Sequence, residues 1–200
     1  ESFGRVARGS KLLAPLTTVT LGTANAEPRV GPVAIAEISY DPGPPSDQAP
    51  ELDSAIQAGD LEFVEIHNPT AEPVELSHWR LRGGVDFDFG AGTMLDAEQT
   101  LVVLRFDPTS PDNARRLAAL RAHYGLGNQV RLGGGYQGGL SNNGESVRLL
   151  RPHESADDPT SLTYTLEDQV TYDNLVPWPS QAAGQGQSLA RRTLAGWGDW

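Results

Sequence analysis

The stretch from Asp60 to Phe89, DLEFVEIHNPTAEPVELSHWRLRGGVDFDF, decides the fold class of this chain. Leu61–His67 is apolar enough on both faces for a central strand. Asn68-Pro69-Thr70 then sets a tight turn, because Asn and Pro both restrict local backbone geometry. Glu75–Arg82 returns as a second strand, with Trp79 and Leu81 pointing one way and Trp79 placed as a core anchor. Val85, Phe87 and Phe89 alternate with Asp86 and Asp88, a period of two that predicts a half-exposed third strand with an acidic outer face. Hairpins in this order predict a β-sandwich, and nothing in the stretch resembles a nucleophile, a metal cage or a phosphate cradle.

Working outward, Pro32–Tyr40 predicts an earlier strand with a slip near Ala36, and Thr100–Phe106 a buried one. Ser146–Arg151, Ser161–Tyr172 and Gln187–Arg191 supply further strands, with Pro177-Trp178-Pro179 as a rigid crossing before the last. One helix is predicted over 110–124. Ser110 is placed to cap it, Pro111 suits the first helical position, Asp112 favours the positive dipole end, and Gly125 stops it. Arg115, Arg116 and Arg121 are expected to face outward from this insertion. Residues 41–60 read as a long acidic, proline-rich loop with a short helical turn near Glu51–Gln57. In the N-terminal arm, residues 1–31, the β-branched run Leu16–Leu21 could form one strand.

Two hundred residues with 38% hydrophobic content suit one domain with extensions, and 22 Gly with 15 Pro favour turns over long helices. The absence of cysteine excludes disulfides and thiolate metal sites. A net charge of −11 argues against a nucleic-acid partner, and no apolar run is long enough for a membrane-spanning helix.

Candidate chemistry is sparse. Asp41, Asp47, Asp53 and Asp60 could offer oxygens to calcium, but they lack the spacing of an EF-hand loop, and a solvated acidic loop is the favoured reading. Glu62 and Glu65 lie three apart in a strand, hence on opposite faces. They make a poor acid–base couple, and pairing with an arginine is expected instead. Gly133-Gly134-Gly135-Tyr136-Gln137-Gly138 fits G-x-G-x-x-G, but the hairpin signal Asn143-Gly144 follows where a helix would have to begin, so no dinucleotide site is expected. His67, His78, His123 and His153 are scattered, and neither a G-x-S-x-G elbow nor a P-loop is present. No catalytic residue and no cofactor is assigned, beyond the calcium possibility.

Several pieces in order resemble the lamin tail domain family in its bacterial extracellular form. They are IAEISY (35–40), EFVEIHN (62–68), VELSHWRL (74–81), LSNNGESVRL (140–149), VTY (170–172), Trp178-Pro179 and GQSLAR (186–191). The resemblance implies an immunoglobulin-like all-β sandwich over 32–200, without catalytic residues, in which the helix and the loop 41–60 are additions. It also gives the arm a reading. Ser2-Phe3-Gly4-Arg5 is similar to Ser188-Leu189-Ala190-Arg191, and Thr20-Leu21-Gly22-Thr23-Ala24-Asn25 resembles the motif that closes such domains. The arm then reads as the tail of a preceding copy, and the chain, which starts at Glu1 without a signal-peptide pattern, as a processed piece that stops before its own closing motif.

The function implied is a structural, adhesion or scaffold module of a secreted or cell-surface protein. Its partners would be neighbouring copies, joined head-to-tail by strand addition of the arm. The alternative is an accessory module that binds polysaccharide through Tyr136, Trp197 and Trp200; a hydrolase ranks third.

Overall fold

The computed structural model describes residues 2–5, 13–155, 158 and 161–194. In chain order the strands are β1 (Phe3–Arg5), β2 (Leu13–Pro15), β3 (Ala34–Ser39), β4 (Phe63–His67), β5 (Val74–Glu75), β6 (Arg80–Gly83) and β7 (Val85–Asp88). They continue as β8 (Met94–Leu95), β9 (Thr100–Leu104), β10 (Leu132–Gly134), β11 (Gln137–Gly138), β12 (Glu145–Glu154), β13 (Leu162–Tyr172) and β14 (Leu189–Ala190). Two α-helices, α1 (Ala49–Leu52) and α2 (Ala114–Tyr124), interrupt them.

The described residues form two five-stranded sheets, ordered β10-β9-β4-β3-β14 and β11-β7-β6-β12-β13. Every pairing in them is antiparallel except β10 with β9. Between the sheets lies one apolar core that includes Ile35, Ile38, Val64, Ile66, Leu81, Val147, Leu149 and Val170, with Trp79 buried among them as its position predicts. This is the expected all-β, immunoglobulin-like sandwich.

The expected slip in the first strand is a β-bulge between Ile35 and Glu37. It has a physical cause. Ile35 and Ile38 are three apart, yet both are fully buried in the same core, so one extra residue, Ala36, must be absorbed between them.

A second core lies on the other face of the first sheet. Phe63, Val102 and Leu104 point there, and α2 covers them with Ala119 and Leu120. The loop 41–60 takes part, which corrects the expectation of a solvated loop: Ala49 and Ile56 are buried in this cluster, and α1 packs on α2. Short apolar residues scattered among prolines and acids carry no period, so only the packing reveals them. Gly125 ends α2 in the left-handed conformation at φ 64°, as expected. The Ser110 side chain makes no cap; a 3-10 turn, Pro111–Asn113, precedes the α-helix, and Asn113 donates to the Asp107 carbonyl at 3.0 Å.

Two other expectations change. The strand predicted over 75–82 breaks between Leu76 and Trp79, where the Trp79 N–H bonds the Leu76 carbonyl and His78 takes φ 64°. In the arm, Leu16–Leu21 is not a strand. Leu16 makes a single bridge to Pro28, Val19 and Leu21 are exposed, and the arm's strands are β1 and β2, which pair with each other. Among the described residues the arm joins neither five-stranded sheet of its own chain; it forms a separate two-stranded ribbon whose β2 lies against β13.

Candidate functional site

The outer face of the first sheet is only half covered by α2, and the bulge at Ala36 determines what the open half presents. After the bulge, Glu37 pairs with Glu65, and Glu65 pairs with Val102 on its other side. Directly paired residues project to the same face with Cβ atoms about 5 Å apart. Two carboxylates therefore stand side by side outside the core. The next row on this face is Ser39, Phe63 and Leu104, which runs under the helix.

A cleft of about 800 Å³ opens at this boundary. Glu37, Glu65, Thr100 and Ser188 line its polar side, whereas Phe63, Val102, Leu104 and Leu126 line its apolar side. The Tyr124 ring stands edge-on to Phe63, with centroids 5.6 Å apart, and its hydroxyl donates to the Leu61 carbonyl at 2.8 Å, which fixes the helical wall. At the rim, Arg131 donates to the Gln99 side-chain oxygen at 2.6 Å. The Ser188 hydroxyl donates to Glu37, so the segment leading into β14 closes one end of the cleft.

Burial, and then the negative charge of Glu37, push the Glu65 pKa up to about 7. Among the described residues no cation lies within ion-pair reach of either carboxylate, so the fold supports this pair without a counter-charge. Such an arrangement can hold a proton or a cation between its members.

A stability prediction follows from the sign. A carboxyl whose folded pKa lies above its ordinary value of 4.5 contributes full stability only below that value, and loses it as pH rises through about 7. Glu65→Gln is therefore expected to match the parent chain at acid pH. At about pH 8 it should be more stable, by about 1–2 kcal/mol once solvent at the open cleft is discounted. Urea denaturation of both chains across this range checks it, and equal stability at alkaline pH would contradict the assignment.

Glu62 does diverge from Glu65, as the strand period requires. It is buried, and its Oε2 accepts the Leu140 N–H at 3.0 Å and the Tyr136 hydroxyl at 3.3 Å. Burial raises its pKa, against the pull of the Leu140 N–H, the Arg105 charge and the Tyr136 hydroxyl. The expected arginine is present as the nearby Arg105 charge, while the two hydrogen bonds come from neutral donors. Tyr136 is corrected from an exposed binding aromatic to a framework group only 3% exposed, turned inward between β10 and β11. Trp197 and Trp200 lie outside the described residues.

The four calcium candidates do not gather. Asp53 and Asp60 both approach the Arg116 Nε, at 3.7 and 3.5 Å, and each also accepts a backbone N–H of its own loop. Asp41 bridges to Ala183 near β14, and Asp47 is exposed before α1. Among the described residues no three His, Asp or Glu side chains come together as a metal-binding group.

Glu37 is the site residue that strand-by-strand reading passes over. Its signal was the spacing of Ile35 and Ile38, which demands the bulge that turns Glu37 onto the face of Glu65.

No curated protein matches the chain. A family model, the Lamin Tail Domain, matches residues 26–172, from before β3 to the last residue of β13. With the bulged strand β3, Trp79 in the core and every strand of the two facing sheets except β14 inside that span, this chain belongs to the lamin tail domain family, a family of immunoglobulin-like structural modules.

Proposed function

We propose that the chain is a non-catalytic structural or scaffold module of a secreted or cell-surface protein, set in a tandem array of copies of itself. The observation that carries this reading is the N-terminal ribbon. Gly4 and Ala14 are buried on its inner face, and Leu16, just after β2, is buried with them, while β2 rests on β13 of the domain that follows. Gly4 sits so close to the Asn25 and Leu16 side chains that a Cβ there would meet them at 2.6 and 2.9 Å. Residues 2–5 and 13–28 therefore pack on one another as a small unit. The likeness of Ser2–Arg5 to Ser188–Arg191 supports reading it as the end of one copy seated on the next, and a seated joint of this kind stiffens an array where a free linker would let it flex.

Deleting residues 1–25 tests this. Loss of the apolar contacts of Ala14 and Leu16 is expected to lower unfolding stability by about 2 kcal/mol. A chain made of two joined copies should scatter X-rays as an extended rod of narrow length distribution. An unchanged denaturation midpoint after the deletion, together with freely jointed copies, would overturn the proposal.

A further inference from the structure

We propose that the cleft between α2 and the open half of the first sheet binds a primary ammonium group on an apolar stem, as a lysine side chain of a partner protein presents it. The ammonium would lie between Glu37 and Glu65, and the stem along Leu126 and the uncovered edges of Phe63 and Val102. This goes beyond a structural role for the module.

Three observations converge on that occupant. The first is volume: about 800 Å³ is far more than two carboxylates need and falls within the range of small-ligand sites. The second is charge complementarity. Glu37 and Glu65 are paired across neighbouring strands and lack a cation among the described residues, although the same chain gives Asp168, Glu167, Asp53 and Asp60 an arginine each or in common. Like charges left side by side in a partly covered site reduce folding stability, and an incoming cation would relieve both at once. The third is the apolar wall directly beside them. A compact, strongly hydrated ammonium on a methylene stem matches this division of polar and apolar surface, whereas a calcium ion would require six or more oxygen ligands.

The charged and titratable groups around the pair come from each neighbouring element. Glu98 lies at the rim before β9, and His67 stands two residues from Glu65 with its Nδ1 bonded to Thr100 at 3.0 Å. Arg131 is tethered to Gln99, and the Tyr124 phenol comes from α2. Arg131 is the one cation lining the cleft among the described residues, and its bond to Gln99 holds it at the rim, away from competing for the pair. Protonation of Glu65 removes half of the attraction, so binding should weaken as pH falls through about 7.

The test is an NMR titration of the whole isotope-labelled chain with a blocked Gly-Gly-Lys-Gly-Gly peptide and with its Nε-acetylated form. At about pH 8 the free amine is expected to bind about tenfold more tightly than the acetylated peptide, with shifts centred on Glu37, Glu65, Val102 and Ser188. Glu37→Gln/Glu65→Gln, which removes repulsion and keeps the fold, should abolish that difference, and so should acidification to about pH 5. Equal binding of the two peptides, binding untouched by the double substitution, or no perturbation of the cleft by either peptide would overturn the proposal.

Discussion

Asp168→Ala is expected to destabilise the domain by about 3–5 kcal/mol, the cost of leaving a buried charge without its partner. The Asp168 and Arg191 side chains are completely buried, and they meet twice, Nη1 to Oδ2 and Nη2 to Oδ1, each at 2.8 Å. Asp168 Oδ2 also accepts the Ile35 N–H at 2.8 Å, beside the bulge in β3. Removing the carboxylate strands a guanidinium and a backbone donor together. It also frees β14, which pairs with β3 over two positions, with the Arg191 N–H continuing to the Ala36 carbonyl at 2.9 Å. The double change Asp168→Leu/Arg191→Met separates charge from packing. It should be less harmful than either single loss, because no unpaired charge then remains. Guanidinium denaturation of the four chains completes the cycle; a double variant as unstable as the sum of its parts would show that the pair does not act as a unit.

The second large effect is expected at Asn68, in the turn after β4. Its side chain is fully buried and donates to the carbonyls of Glu72 at 2.8 Å, Leu95 at 3.1 Å and Asp96 at 3.0 Å. Its Oδ1 accepts the Thr70 N–H at 3.1 Å and the Thr70 hydroxyl at 2.7 Å. One amide thus ties the turn 68–72 to the start of the segment after β8. Asn68→Ala leaves several of these groups buried and unsatisfied, for a loss of about 3 kcal/mol. Asn68→Asp keeps the shape but replaces a donor with an acceptor facing three carbonyl oxygens. At neutral pH it should be at least as damaging as Ala, recovering in part when acid protonates it. Thermal unfolding of the three chains decides this; a well-tolerated Asp would mean that the amide's donors carry little of the turn's stability.

What could be read from residues was whatever repeats at short range. The alternation of Val85, Phe87 and Phe89, the placement of Trp79 and the stop at Gly125 each depend on neighbours within one element, and each is observed. Even the bulge was legible, because two isoleucines three apart cannot otherwise share a core. What escaped depends on register between strands distant in sequence. Glu37 and Glu65 meet only through the β3–β4 pairing, and the Asp168–Arg191 clamp requires a further bulge, between Leu149 and Leu150 opposite Glu167, to set the facing strand. Tyr136 was misread for a related reason. A glycine-rich flank suggests an exposed turn, whereas here the glycines let the backbone pass close to Leu104 and admit the ring beneath it.

The clamp has a consequence for how the chain is assembled and divided. The bond from Ile35 to Asp168 spans 133 positions, and β14 completes the sheet only from Leu189, 17 positions after Tyr172. Until Arg191 arrives during synthesis, β3 keeps an unpaired edge, and the carboxylate beside it has no guanidinium. A gene fragment cut at Tyr172, where the family match ends, would therefore encode every strand of the second sheet and still yield a sticky, acid-bearing half-product. A stable unit is therefore expected to extend through Arg191, past the last residue that the family model matches.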